Sequence, residues 1–260
     1  MGMAHSNRDM ARLHAVSQPG SGDWLNGVPF VSLGLHLTPQ EFVLAARYRL
    51  GSKVFPSAGA CPVSSCSKDM DQLGDHALAC AASQERLARH DRLRDSLFNV
   101  ASQAGLGPRK EERDLLSSSA RRPGDIYLPH WYRGLDAALD VTVVTPVQGT
   151  LTARAARAPG VAAEQAHRDK IAKSYEECQE VGVDFIPLAV ETWGGWHPQA
   201  LEVIKVLSRQ LARQVGRDEK EVQRHTLQRL GILLQRGNVA LLTSRVPEYP
   251  APEVDGDVDD

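Results

Sequence analysis

The stretch from Arg121 to Val144 constrains this 260-residue chain more than any other. It reads Arg-Arg-Pro-Gly-Asp-Ile-Tyr-Leu, then a short polar turn, then Ala-Leu-Asp-Val-Thr-Val-Val before Pro146. Val, Ile, Thr and Tyr favour a pleated, half-buried surface, and Gly and Pro bound both runs, so two successive β-strands are expected. Asp125 sits on the first and Asp140 on the second. Neighbouring antiparallel strands can bring two carboxylates together at one end of a sheet. Carboxylate oxygens are the natural ligands of Mg²⁺ or Mn²⁺ in phosphate chemistry. Two ordinary strand-end aspartates would look the same in isolation, and the surroundings of this pair are what separate the readings.

The first of these surroundings is a cluster of three of the four cysteines. Cys61, Cys66, His76 and Cys80 have the spacing C-x4-C-x9-H-x3-C, and Cys178 stands apart in a helical pattern. Zinc takes tetrahedral sulfur and nitrogen ligands, commonly as two close pairs separated by a loop. His76 and Cys80 lie four apart, so one helical turn puts both on the same face. Three buried thiols beside an unrelated histidine explain the pattern less well. Four protein ligands leave no open position, so the expected Zn²⁺ is structural.

The hydrophobic fraction of 42% allows a proper core. No run approaches the roughly 18 apolar residues of a membrane span, and the N-terminus lacks the apolar segment of a secretory signal. An intracellular, nuclear protein with no membrane partner is expected. The net charge of −2 hides an asymmetry, because residues 248–260 carry six acids and no base, leaving the rest at +4. That balance is compatible with a polyanionic partner.

Taken in order, residues 1–22 are poor in apolar side chains and are expected to be disordered. Residues 23–82 hold a segment of short turns, a helix and the cysteine module. In that helix Thr38, Pro39 and Glu41 form a start signal, Phe42, Ala45, Ala46 and Leu50 an apolar face, and Gly51 the stop. Residues 83–196 carry a helix from Gln84 to Ala104 whose polar face bears Arg86, Arg89, Arg92 and Arg94. Those arginines suit either phosphate tracking or a solvated face. The short charged run with Glu111 and Glu112, the two aspartate strands, a helix from about Val161 to Val181, and a buried strand from Val183 ending in Glu191 complete this part. Pro187 marks that strand as an edge or a bulge. Two helices fill residues 197–247, the second expected to end near Gln235, and an acidic tail expected to be disordered follows.

This order of helix, short strand, strand, strand, helix and strand, with aspartates on the middle pair, resembles the PD-(D/E)xK nucleases and their restriction-endonuclease-like fold. More narrowly, Cys61, Cys66, His76 and Cys80 followed by Arg122-Pro123-Gly124-Asp125 and then Asp140 resemble the C-terminal endonuclease region of site-specific non-LTR retrotransposon proteins. The resemblance spans about Trp24 to Arg245. It implies an α/β fold with a small mixed sheet flanked by helices, preceded by a zinc module and followed by a helix pair. It implies a DNA endonuclease whose Asp125 and Asp140 hold Mg²⁺ or Mn²⁺, with DNA, and also element RNA, as partner. Gly124 splits the Pro-Asp pair, and Thr142 stands where the parent motif has lysine, so the lysine is expected from the following helix: Lys170, with Lys173 in reserve. Glu191 and Glu112 are candidates to complete the carboxylate set. The rival readings are a catalytically inactive zinc-containing nucleic-acid-binding remnant and a scaffold acting through its C-terminal helices. No Asp-Asp pair of a reverse transcriptase is present, so either the severed end of an element protein or a retained copy is expected.

Overall fold

In the computed structural model, residues 6–112, 124–132 and 134–245 are described. Arg121, Arg122 and Pro123 of the motif and the acidic 248–260 tail lie outside them. The expectation of disorder fails early. Asn7–Val16 form helix α1, with the Ser6 side chain accepting from Asp9 N at 3.1 Å. Few apolar residues suffice here because the buried face consists of two alanines, Ala11 and Ala15. Arg8 also makes a bidentate pair with Asp75, at 2.8 and 2.9 Å, which anchors the helix at a distance in sequence no local pattern reveals. Two 3₁₀ turns follow, Asp23–Asn26 and Val31–Leu33.

Helix α2, Pro39–Leu50, starts as its sequence dictates: Glu41 N donates to Thr38 Oγ1, and Glu41 Oε2 accepts from Thr38 N at 2.7 Å. Gly51 ends it with a φ of 74°, a left-handed cap that glycine adopts without strain. Its buried face differs from the expected one. Leu44, Ala45 and Tyr48 point inward, while Phe42 and Leu50 are exposed. Tyr48 is drawn in by stacking on Trp193, with centroids 4.7 Å apart.

A two-strand ribbon, β1 (Gly59–Ala60) and β2 (Asp69–Met70), and the short helix α3 (Asp75–Ala79) carry the cysteine module. Helix α4 (Glu85–Gln103) leads to the sheet, whose strands are β3 (Arg109–Lys110), β4 (Ile126–Tyr132), β5 (Leu135–Val144) and β6 (Val183–Glu191). Their spatial order is β3-β4-β5-β6, antiparallel except for the parallel β5–β6 pair. Pro187 lies on β6, an edge strand, where its missing N–H removes no ladder bond on the open side. The connection from β5 to β6 contains α5 (Leu151–Ala155) and α6 (Val161–Glu180). Helices α7 (Pro198–Val215) and α8 (Glu219–Thr243) finish the chain. The fold is therefore mixed α/β, a small mixed sheet flanked by helices.

One face of the sheet, with Ile126, Leu128, Leu139 and Leu188, packs on α4, α7 and the first half of α8. The other face, with Tyr127, Ala138 and Phe185, packs beneath α6 around Cys178. A separate apolar cluster gathers α1, α2, the cysteine module, Trp193 and the last turns of α8. Helix α8 extends beyond the expected end near Gln235 because Val239, Leu241 and Leu242 belong to that cluster. Two glycines permit close approaches on or against α8. A Cβ on Gly237 would lie 2.4 Å from Arg89 Cγ, and one on Gly74 would lie 2.6 Å from Leu242 Cδ2.

Gly74 combines that crowding with a φ of 83°, whereas Gly216 has a φ of 66° and open space around it. Gly74→Ala is expected to cost about 3 kcal/mol, the left-handed strain plus overpacking, and Gly216→Ala about 1 kcal/mol, the strain alone. Denaturant unfolding of both variants checks this; equal losses would show that the α3–α8 contact does not limit stability.

Candidate active site and metal centre

The ribbon presents Cys61 and Cys66, and α3 presents His76 with Cys80 at its C-cap. The Asp71 carboxylate accepts from the backbone N–H groups of Leu73, Asp75 and His76, which winds the first turn of α3 and sets the histidine facing the ribbon. The four ligand atoms lie within 4.8 Å of one another, with Cys61 Sγ and Cys80 Sγ 4.0 Å apart and Cys66 Sγ 3.5 Å from His76 Nε2. Tetrahedral zinc with about 2.3 Å bonds to sulfur needs sulfurs about 3.8 Å apart, so a Cys₃His cluster of this size can hold a metal ion. Burial pushes the His76 ring down, toward the neutral form a metal requires. The four side chains would leave a bound ion no open position, and Asp71 fixes the backbone that carries His76.

The two aspartates also meet. Asp125 immediately precedes β4, and its N–H donates to Leu139 O at 2.8 Å. Its Oδ2 accepts from Val141 N at 2.7 Å and faces His90 Nε2 at 2.9 Å. Among the described residues Oδ1 has no hydrogen-bond partner. Asp140 lies on the α6 side of β5, and Lys170 Nζ of α6 stands 2.7 Å from its Oδ2. Burial pushes the Asp140 carboxyl up, Lys170 pulls it back, and the charge of Asp125 raises it again. The Asp125 carboxylate accepts from Val141 N, the backbone group next to Asp140, so the two acids lie at neighbouring positions across the β4–β5 pair. Three expected residues, Asp125, Asp140 and Lys170, are thus brought together.

His90 is the member the sequence reading missed. It lies on α4 three residues before Leu93 and seven before Leu97, both fully buried, so a histidine on the apolar stripe was the available signal. Its Nδ1 lies 3.2 Å from Asp91 Oδ1. Burial alone would lower the imidazole, but Asp125 and Asp91 outweigh it and the ring holds its proton to higher pH.

Glu191 and Glu112 are elsewhere. Glu191 pairs with Val144 in the register, four residues along from the Asp140–Pro187 pair, which is roughly 13 Å. Its Oε1 accepts from Ala162 N and Ala163 N at 3.1 and 3.3 Å, and Oε2 accepts from Gln18 Nε2 at 2.7 Å. This carboxylate caps α6, whose own N-cap residue, Gly160, has no side chain to do so. Glu112 accepts from Arg109 at 3.0 Å at the end of β3. The arginine face of α4 is also revised: Arg89 is buried and donates to Asn238 Oδ1 at 2.8 Å, its guanidinium pushed down to about 10 by burial. Arg94 is held by Asp91, Asp95 and Glu111, each at 2.9 Å. Arg92 is exposed and Arg86 half-buried.

No protein-family model matches the chain, and no curated protein matches it. Among the described residues no helix is long and apolar enough to cross a membrane.

Two measurements follow from these geometries. Protein loaded with Co²⁺ should show the visible bands of a tetrahedral thiolate site, and His76→Ala should abolish them. Chelation should lower the thermal midpoint by at least about 5 °C, because the module is packed into the α1–α8 cluster. For Glu191, loss of the cap in Glu191→Ala should cost about 2 kcal/mol. Glu191→Gln, which keeps the accepting oxygen, should cost far less. Burial raises the Glu191 carboxyl and the three hydrogen bonds offset this only in part. A raised carboxyl favours the folded state most below its unfolded pKa and loses that contribution as pH rises through the folded pKa. Wild type should therefore gain stability relative to Glu191→Gln on acidification, and the reverse slope would sink this assignment.

Proposed function

We propose that the chain is a metal-dependent DNA endonuclease with a restriction-endonuclease-like core, of the kind found in the C-terminal region of site-specific non-LTR retrotransposon proteins. The observation that carries this reading is the convergence of Asp125, Asp140 and Lys170, contributed by the start of β4, the middle of β5 and the crossover helix α6. The order α4, β3, β4, β5, α6, β6 supports it, being the order on which the resemblance rests. The zinc reading of the Cys₃His cluster belongs to the same proposal, as do a nuclear location and DNA, with element RNA, as partner.

Asp125 and Asp140 would hold Mg²⁺ or Mn²⁺, which when bound supplies Lewis-acid polarisation of the phosphate and a lowered pKa for water. The Val141 N–H and His90 fix the Asp125 carboxylate by one oxygen, leaving Oδ1 for a ligand. Lys170 reaches the site on a flexible four-carbon stem, so it can release Asp140 and stay close enough to orient the attacking water or stabilise charge on the phosphate. Hydrolysis joins the water oxygen to phosphorus and breaks one P–O ester bond, the leaving oxygen taking up a proton.

One observation favours the second reading, an inactive zinc-containing nucleic-acid-binding remnant. The Lys170–Asp140 pair is closed and Thr142 replaces the strand lysine, a state that a retained but unused site could keep.

Nicking of supercoiled plasmid decides between them. Cleavage should require Mg²⁺ or Mn²⁺ in zinc-loaded protein. Asp125→Ala and Asp140→Ala should each lower it at least about 100-fold, and Lys170→Ala about 100- to 1000-fold. Lys173→Ala should leave it near wild type. A folded, zinc-loaded protein that does not cut, or cutting unaffected by Asp140→Ala, would end the nuclease reading.

A further inference from the structure

The strand β4 pairs with β5 only up to Ile126–Leu139, while β5 runs on to Val144 with β6 along its other side. Leu139 O and Val141 N both face Asp125, so by the alternation of a strand the backbone N–H and C=O of Val143 face the same way. Beyond Leu139, among the described residues, no strand pairs with that edge. The edge opens into a cavity of about 400 Å³ lined by Thr142 and Val143, by Arg86, Leu87 and His90 of α4, and by Ala81–Gln84.

Three features of this cavity point to one kind of ligand. Its His90 wall is the residue that touches Asp125 at 2.9 Å, so the cavity borders the pair of aspartates. Its opposite wall, Ala81–Gln84, directly follows the metal-cluster residue Cys80, so the Cys₃His module holds that wall in place. Its floor is a strand edge that, among the described residues, has no paired strand and can donate and accept hydrogen bonds in one plane, with the Leu87 side chain, 67% exposed, beside it. The Arg86 guanidinium at the rim suits a phosphate or the face of a base. Glu85, the nearby acid, is turned back onto the Ser83 hydroxyl. The volume is in the range of single small ligands and excludes a duplex.

We propose that this cavity is the subsite for one unpaired nucleotide of the substrate strand, adjoining the bond to be cut. The base lies against Leu87 with its edge on the Val143 backbone, and Arg86 takes a flanking phosphate. This deepens the nuclease reading and rests on it for the word substrate. The zinc module then acts as one jaw of the nucleotide site, in addition to its part in the fold.

The test uses zinc-loaded full chain without added Mg²⁺ and the fluorescence anisotropy of a labelled six-nucleotide single strand, beside the same sequence as a blunt duplex. Leu87→Glu, at an exposed position and bringing a negative charge into the cavity, should weaken single-strand binding at least 10-fold. Arg86→Ala should weaken it severalfold and lower its salt dependence. Ala82→Trp, which fills the cavity, should do the same where it keeps the zinc and the thermal midpoint of the parent. Unchanged affinity in Leu87→Glu and Arg86→Ala, a preference for the duplex, or no single-strand binding overturns the proposal. The nicking assay separates this failure from that of the nuclease reading. Cavity-dependent binding without cleavage keeps the subsite in a binding protein, whereas cleavage with a KM unmoved by Leu87→Glu removes the subsite and keeps the nuclease.

Discussion

The parallel pairing of β5 with β6 is the constraint on which the candidate site depends. A parallel pair cannot be closed by a hairpin and needs a crossover that returns the chain to the same end of the sheet. Here the crossover is residues 145–182, and its long helix, α6, must lie on one face. Side chains of β5 alternate between faces, so Asp136, Ala138 and Asp140 share the α6 side while Ala137, Leu139 and Val141 enter the opposite core. Lys170 meets Asp140 because the helix and the odd-even phase of the strand leave it that position. A one-residue slip of β5 would put Leu139 under α6 and Asp140 into the apolar cluster, at a cost far beyond that of any surface pair.

The crossover is secured at its start by Glu191. Its buried carboxylate, at the end of β6, reaches the first N–H groups of α6 and the Gln18 amide at once. A side chain on Gly195 would collide with Gln18, 2.5 Å from where its Cβ would stand, and Gly194 takes a φ of 98° against Ser21. The glycine pair after β6 thus serves the approach of the N-terminal segment to the cap. Helix α8 performs a similar function on a larger scale, its first half covering the sheet and its second half covering α1, α2 and the cysteine module. The cysteine module and the position of α4 over the sheet are linked through that one helix and through Ala81–Gln84.

Most of this was legible where the signal is local. The Thr38-Pro39-Glu41 start, the glycine stop at 51, the alternating aspartate strands and the edge-strand proline all act within a few residues of where they are read. What was not legible depends on partners far along the chain. Helix α1 is held by Asp75, Glu191 finds its role with Gln18, and Arg89 is buried by Asn238 and the close approach at Gly237. Arg89 shows the limit most plainly: Arg92 is exposed and Arg86 only half-buried, and the crossing of α4 by α8 makes the residue between them a core side chain. Tyr48, absent from the expected apolar face, is buried for the same reason, since Trp193 from far along the chain stacks on it.

The charges at the site are balanced in a way that bears on its chemistry. Two carboxylates at neighbouring positions face two basic side chains, each placed on a different acid. The two bases are not equivalent. His90 is short, carried on a helix buried along Leu93 and Leu97, and tied to Asp91 on its other nitrogen, so it fixes Asp125 and cannot withdraw. Lys170 is attached by a long flexible stem and is a third exposed, so its ammonium has room to move that the imidazole lacks. An incoming divalent cation would replace the lysine at Asp140 with a larger charge while Asp125 keeps its orientation. On the proposed reading, the side chain that would give way is therefore the longer and more exposed of the two, Lys170.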